Sequence, residues 1–122
     1  MVMAVNVIEI KERYSNLKKR LFESINQNSE EGKKSIQLLN GILCSEEQGC
    51  LIKGIEPNNP QFFYQKSAAL LYAMIYALNK KNEKKEYIIS ELENAGYMRD
   101  EIQKVKWVIQ EKEEGSLEKK VI

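Results

Sequence analysis

Residues Phe62 to Leu78 read FFYQKSAALLYAMIYAL and run straight into the charged segment NKKNEKK. The stretch is apolar almost all the way round a helix. A surface helix needs one apolar stripe, whereas a helix apolar on every side has to be covered on every side. The sequence therefore predicts a buried central helix at about 60–78, with the rest of the chain packed around it. Asn59 before Pro60 marks its start. An asparagine caps the first turn, and a proline's missing N–H costs nothing at the first helical position.

This helix has two unlike sides. Phe63, Tyr64, Leu70, Leu71, Met74, Ile75 and Leu78 share one broad, bulky side. Ala69, Ala73 and Ala77 follow one another at one-turn intervals on the other side, with Gln65, Tyr72 and Tyr76 beside them. Small side chains in a row allow another backbone to come close, and tyrosine is favoured at interfaces. Gln65, Ala69, Tyr72, Ala73, Tyr76 and Ala77 are therefore the candidate protein interface. They meet either another helix of this chain or a partner, a second copy included.

Outward from that core, the remaining segments read as helices. Val7, Ile10, Tyr14, Leu17, Leu21 and Ile25 recur at spacings of three and four and predict a helix over 7–27. Ser29 reads as a cap with Glu30 and Glu31 in the first turn, where the helix dipole favours negative charge. The helix it opens turns Ile36, Leu39, Ile42 and Leu43 inward. Gly32 and Gly41 weaken it by about 1 kcal/mol each, and it is expected to end before Gly49. The segment GCLIKGIEPNNP, 49–60, reads as an irregular connector in which Leu51, Ile52 and Ile55 form a short strand or tuck onto the bundle. A fourth helix is expected over 83–95, capped by Asn82 and closed by Gly96 in a left-handed conformation with Tyr97 folded back on Leu92. A fifth begins near Arg99 or Asp100 and ends by Gly115, leaving SLEKKVI, 116–122, as a disordered tail or short strand. The fold class expected is all-α: a compact single-domain bundle of about five helices over 1–122, with a helix–glycine turn–helix unit near 83–113.

Composition narrows the chemistry. The chain has 122 residues, is 43% hydrophobic and 30% charged, and carries 19 Lys plus Arg against 18 Asp plus Glu. That is enough apolar material for a core, and too even a charge for a protein that coats polyanions. There is no histidine. Ser-His-Asp and Cys-His arrangements are therefore excluded within the chain, and Cys44 with Cys50 cannot complete a typical zinc site. The adjacent pairs Glu30/Glu31, Glu46/Glu47 and Glu113/Glu114 point to different sides of a helix and do not form a catalytic dyad. No glycine-rich phosphate loop is present. The expectation is a non-enzymatic protein without cofactor, metal or membrane span, with reduced thiols and no recognisable leader, hence cytoplasmic.

Two readings of function follow. The first is a small helical interaction protein: a subunit, inhibitor or adaptor of a larger complex, or a homodimer. The second is a DNA-binding regulator, because IISELENAGYMRDEIQKVKW, 88–107, resembles the outline of a helix-turn-helix. Its candidate nucleic-acid contacts are Lys80, Lys81, Lys84, Lys85, Arg99, Gln103, Lys104 and Lys106. Asp100 and Glu101 count against it, since they would face phosphates at the start of the reading helix.

Overall fold

The computed structural model describes the backbone of residues 5–78 and 84–121, and the side chains of 7–78 and 84–115. The described residues form five helices: α1 Val5–Glu23, α2 Glu30–Ile52, α3 Pro60–Tyr76, α4 Lys84–Asn94 and α5 Arg99–Val121. Helix α3 is the hub, packing directly on α1, α2 and α5, while α4 lies against α1 and α5. Both unlike sides of α3 are largely covered. Leu70, Leu71, Met74 and Ile75 are fully buried, and Ala69 and Ala73 are also out of solvent.

The helix ends follow from local chemistry. The Ser29 hydroxyl accepts the Gly32 N–H at 2.9 Å, and the Asn59 side-chain oxygen accepts that of Gln61 at 3.0 Å. Gly32 stands where the 26–29 turn folds back against α2. A Cβ there would lie 1.6 Å from the Asn26 carbonyl oxygen. Helix α4 ends in a Schellman motif: Tyr97 N–H reaches the Leu92 carbonyl and Gly96 N–H that of Glu93, both at 3.0 Å, with Gly96 at φ 96°.

Three boundaries differ from expectation. Helix α1 stops at Glu23 rather than running to 27, and Ile25 N–H turns back to the Phe22 carbonyl at 3.1 Å. Helix α2 does not stop before Gly49 but runs to Ile52 and closes on a second Schellman turn, with Ile55 N–H on the Cys50 carbonyl at 2.8 Å and Gly54 at φ 84°. The weak preference against glycine inside a helix, about 1 kcal/mol, is outweighed by burial of Cys50 one residue later. Leu51 and Ile52 are thus helical and exposed rather than part of a strand. Helix α5 likewise passes through Gly115 to Val121, so the tail is neither strand nor irregular. Glu118, Lys119 and Lys120 are good helix formers and carry it on. The expected Asn82 cap lies outside the described residues.

Several polar groups are built into the core. Ser67 is fully buried; its hydroxyl donates to the Phe63 carbonyl at 2.7 Å. With its one proton used there, Ser67 Oγ accepts from Tyr97 OH at 2.5 Å, which ties the α4–α5 turn to the central helix. Lys66, 9% exposed, holds its ammonium 4.6, 4.9 and 5.5 Å from the ring centres of Tyr14, Phe62 and Phe63 and 3.0 Å from Glu47 Oε2. The ring faces and the carboxylate together replace the water the cation gives up. The Tyr14 hydroxyl beside it is buried and has no hydrogen-bond partner among the described residues.

Two stability effects follow. Tyr14→Phe removes a desolvated, unsatisfied hydroxyl and keeps the ring under Lys66; its urea midpoint is expected to equal or exceed the parent's, by up to about 1 kcal/mol. A loss of 2 kcal/mol or so would mean that the hydroxyl does have a partner. Gly32→Ala forces the 26–29 turn away from α2 and is expected to cost about 2 kcal/mol or more in the same measurement.

Candidate functional site

Helices α2 and α5 flank α3 on its alanine side without closing over it. Between them lies an open groove of about 520 Å³. Its floor is Ala69, Ala73 and Ala77, a row that leaves a depression because methyl groups are all it offers. Tyr72 and Tyr76 form one wall, with ring centres 4.5 Å apart and planes inclined at 47°. Ile42 supplies the α2 wall and Gly115 part of the α5 wall.

The structure thus gathers Ala69, Tyr72, Ala73, Tyr76 and Ala77 in one place, while Gln65, the sixth candidate, does not line the groove. The alanine face is neither sealed by a helix of the chain nor flush with the surface. Ala69 and Ala73 are recessed at 4% and 5% exposure. Ala77 and Tyr76 at the C-terminal end stand open to solvent.

Two ion-pair bridges frame the groove. Lys112 Nζ on α5 donates to Glu46 Oε1 on α2 at 2.7 Å. At the open end, Glu113 accepts from both Tyr76 OH and Lys84 Nζ at 2.6 Å, and Lys84 also donates to Tyr76 OH at 3.0 Å. This knot joins the ends of α3 and α4 to α5 and fixes the Tyr76 ring at the mouth. Sequence reasoning missed Glu46, Lys112 and Gly115. Glu46 and Lys112 are 66 residues apart, and no pattern local to either helix announces the pairing.

Burial shifts several phenols in and around the groove. Tyr76 is pushed above its ordinary value by burial and by the Glu113 carboxylate. Tyr64 on the central helix and Tyr87 on α4 are pushed up to about 12, chiefly by burial. These phenols stay protonated at neutral pH, and that of Tyr76 donates to Glu113. Burial also raises the Cys50 thiol, which stays protonated, while Cys44 is exposed. Among the described residues, no group of three or more His, Cys, Asp or Glu side chains is placed to hold a metal ion. No described helix is long and apolar enough to cross a membrane.

The nucleic-acid candidates are scattered. Lys80 and Lys81 lie outside the described residues. Lys84 is tied to Glu113 in the knot, and Lys104 holds its ammonium over the Tyr64 ring at 5.5 Å. Lys85 is exposed on α4. Arg99, Gln103 and Lys106 do come together, around a shallow hollow of about 270 Å³ that Glu93 shares. Glu101 does not face outward at the head of α5. It is buried, binds Arg13 of α1 at 2.5 Å, and accepts the Met98 N–H at 2.8 Å as half of a capping box. Trp107, on α5, is exposed. No family model, curated protein or solved structure matches this chain.

The knot at the groove mouth has a calculable pH dependence. Hydrogen bonding to Glu113 and Tyr76 raises Lys84 above its ordinary 10.5. Burial pushes Glu113 up, but the hydrogen bonds from Lys84 and Tyr76 outweigh it and leave the carboxyl below 4.5. A carboxyl lowered on folding stabilises above its unfolded value and loses that contribution as pH falls through the folded one. A raised ammonium stabilises below its unfolded value and loses it as pH rises through the folded one. Glu113→Gln is therefore expected to lose up to about 1 kcal/mol at neutral pH, since the pair is a third exposed. In urea unfolding the deficit should close as pH falls below 4.5; a deficit unchanged in acid would mean that Glu113 acts through packing.

Proposed function

We propose that this protein is a small, non-catalytic interaction protein, a subunit, inhibitor or adaptor, that receives a protein partner in the α2/α5 groove. The observation that carries the reading is the groove itself: an alanine floor with a tyrosine pair on its wall. A floor of methyl groups lets an amphipathic helix or extended segment insert its apolar side chains. Two aromatic side chains held in one wall add contact area at low entropic cost. The ion pairs at the rim set the charges a partner has to match and favour a register.

The DNA-binding reading has less behind it. Phosphate binding draws on a concentrated set of free cations, and here Lys84 and Lys104 are engaged within the fold. Among the described residues, what supports it is the Arg99, Gln103 and Lys106 cluster and the exposed Lys85.

The test is a photo-crosslinking residue at position 77, at the exposed end of the floor, expressed in the native host. A discrete protein adduct is expected there, and none from the same residue at position 15 on the solvent face of α1. Equal labelling at both positions would overturn the groove. A duplex-DNA mobility shift at low salt that Arg99→Glu and Lys106→Glu abolish would transfer the function to the second reading.

A further inference from the structure

Helices α4 and α5 meet at the Gly96 turn, and the hollow between them combines an apolar floor with a charged rim. The floor is Ile89 from α4, Tyr97 from the turn and Ile102 from α5. Its volume is about 270 Å³. Small-molecule sites run from about 300 Å³ upward, so this one has room for a single large side chain rather than a ligand. The floor is fixed in place, because Tyr97 is tied to Ser67 of the central helix and to the Leu92 carbonyl.

The rim carries charge that the fold does not use. Arg99 and Lys106 stand on the α5 side. Lys85 lies four residues before Ile89, on the same face of α4. Among the described residues, none of these three cations is in an ion pair. Arg99 also sits in the first turn of α5, where the helix dipole disfavours a cation. The fold thus holds that charge in an unfavourable place without gaining a bond from it.

Large side chains stand open beside the same hollow. Met98, next to Arg99, is 58% exposed. Trp107 is 56% exposed and follows one turn after Gln103, which lines the hollow. Arginine, methionine and tryptophan are the residues that protein interfaces concentrate.

We propose that this hollow is a second docking surface, separate from the α2/α5 groove, and that it takes an acidic segment of a protein partner. One large apolar side chain of the segment sits on Ile89, Tyr97 and Ile102, and the carboxylates beside it meet Arg99 and Lys106. A guanidinium holds a carboxylate through two parallel N–H donors. Glu93, on the opposite rim, repels an acid placed there and so decides which way the segment lies. A nucleic-acid backbone fits less well. Its phosphates would face Glu93 and Asp100, both exposed, and an apolar floor has nothing to offer them.

Trp107 is the only tryptophan of the chain and reports on the hollow without a label. Titration at low salt with a short peptide of glutamates around one leucine is expected to change its emission saturably. Replacing that leucine by serine, or raising the salt, should weaken the response. Arg99→Glu and Lys106→Glu should each weaken it roughly tenfold, with the melting temperature kept. The inference fails if the acidic peptide gives no saturable change, if a lysine peptide around the same leucine binds equally well, or if both charge reversals leave the affinity unchanged. Duplex DNA bound more tightly than the peptide through the same two residues would overturn it in favour of nucleic acid. An adduct from position 77 without a peptide response removes this inference alone; a peptide response without that adduct removes the groove reading alone.

Discussion

Everything in this fold follows from the need to surround one helix. Helix α3 is apolar through nearly its full circumference, and a helix of that kind is stable only inside other structure. The chain has few elements with which to meet that demand. Helices α1, α2 and α5 pack on α3 directly. The bulky sector takes the close-packed contacts. The alanine sector has little apolar area to hide, so two helices standing apart shield it without a third on top. The groove is the remainder of that arithmetic: it opens where the core helix needs covering least.

The polar residues of α3 show how the same helix also specifies its neighbours. A purely apolar hub tolerates slippage, because greasy surfaces repack at small cost. Lys66 and Ser67 do not permit it. The ammonium fits only where three ring faces and the Glu47 carboxylate converge, and Ser67 fits only where Tyr97 arrives. One anchors α1 and α2 around the hub, the other the α4–α5 turn.

Much of this was legible in the sequence because it is written in short-range patterns. The central helix, the Ser29 and Asn59 caps and the Gly96–Tyr97 ending are each decided within a few residues, and the all-α bundle follows from them. The end of α2 was misread because Gly49 was weighed by propensity alone, while the burial of Cys50 depends on α2's packing within the fold. Helix α5 was cut short at Gly115 for the same reason. The candidate site was half visible: five residues of one face of α3 line the groove, whereas its α2 and α5 walls depend on which helices come to lie either side. Gln65 was included by wheel position and falls outside. Lys66 sat in plain view as a polar interruption of an apolar run, but nothing nearby in the chain reveals the rings that receive it.

The Arg13–Glu101 pair bears on how the molecule comes apart. Glu101 does two things with one carboxylate: it receives the guanidinium of α1 and it caps the first turn of its own helix. The two groups are 88 residues apart in the chain. When α1 lifts away, the carboxylate loses its counter-charge and gains water in the same event, so the cap it provides at Met98 is freed to fray. Solvent exchange at the head of α5 should then report on the docking of α1, although the two segments that meet there are 88 residues apart in the chain.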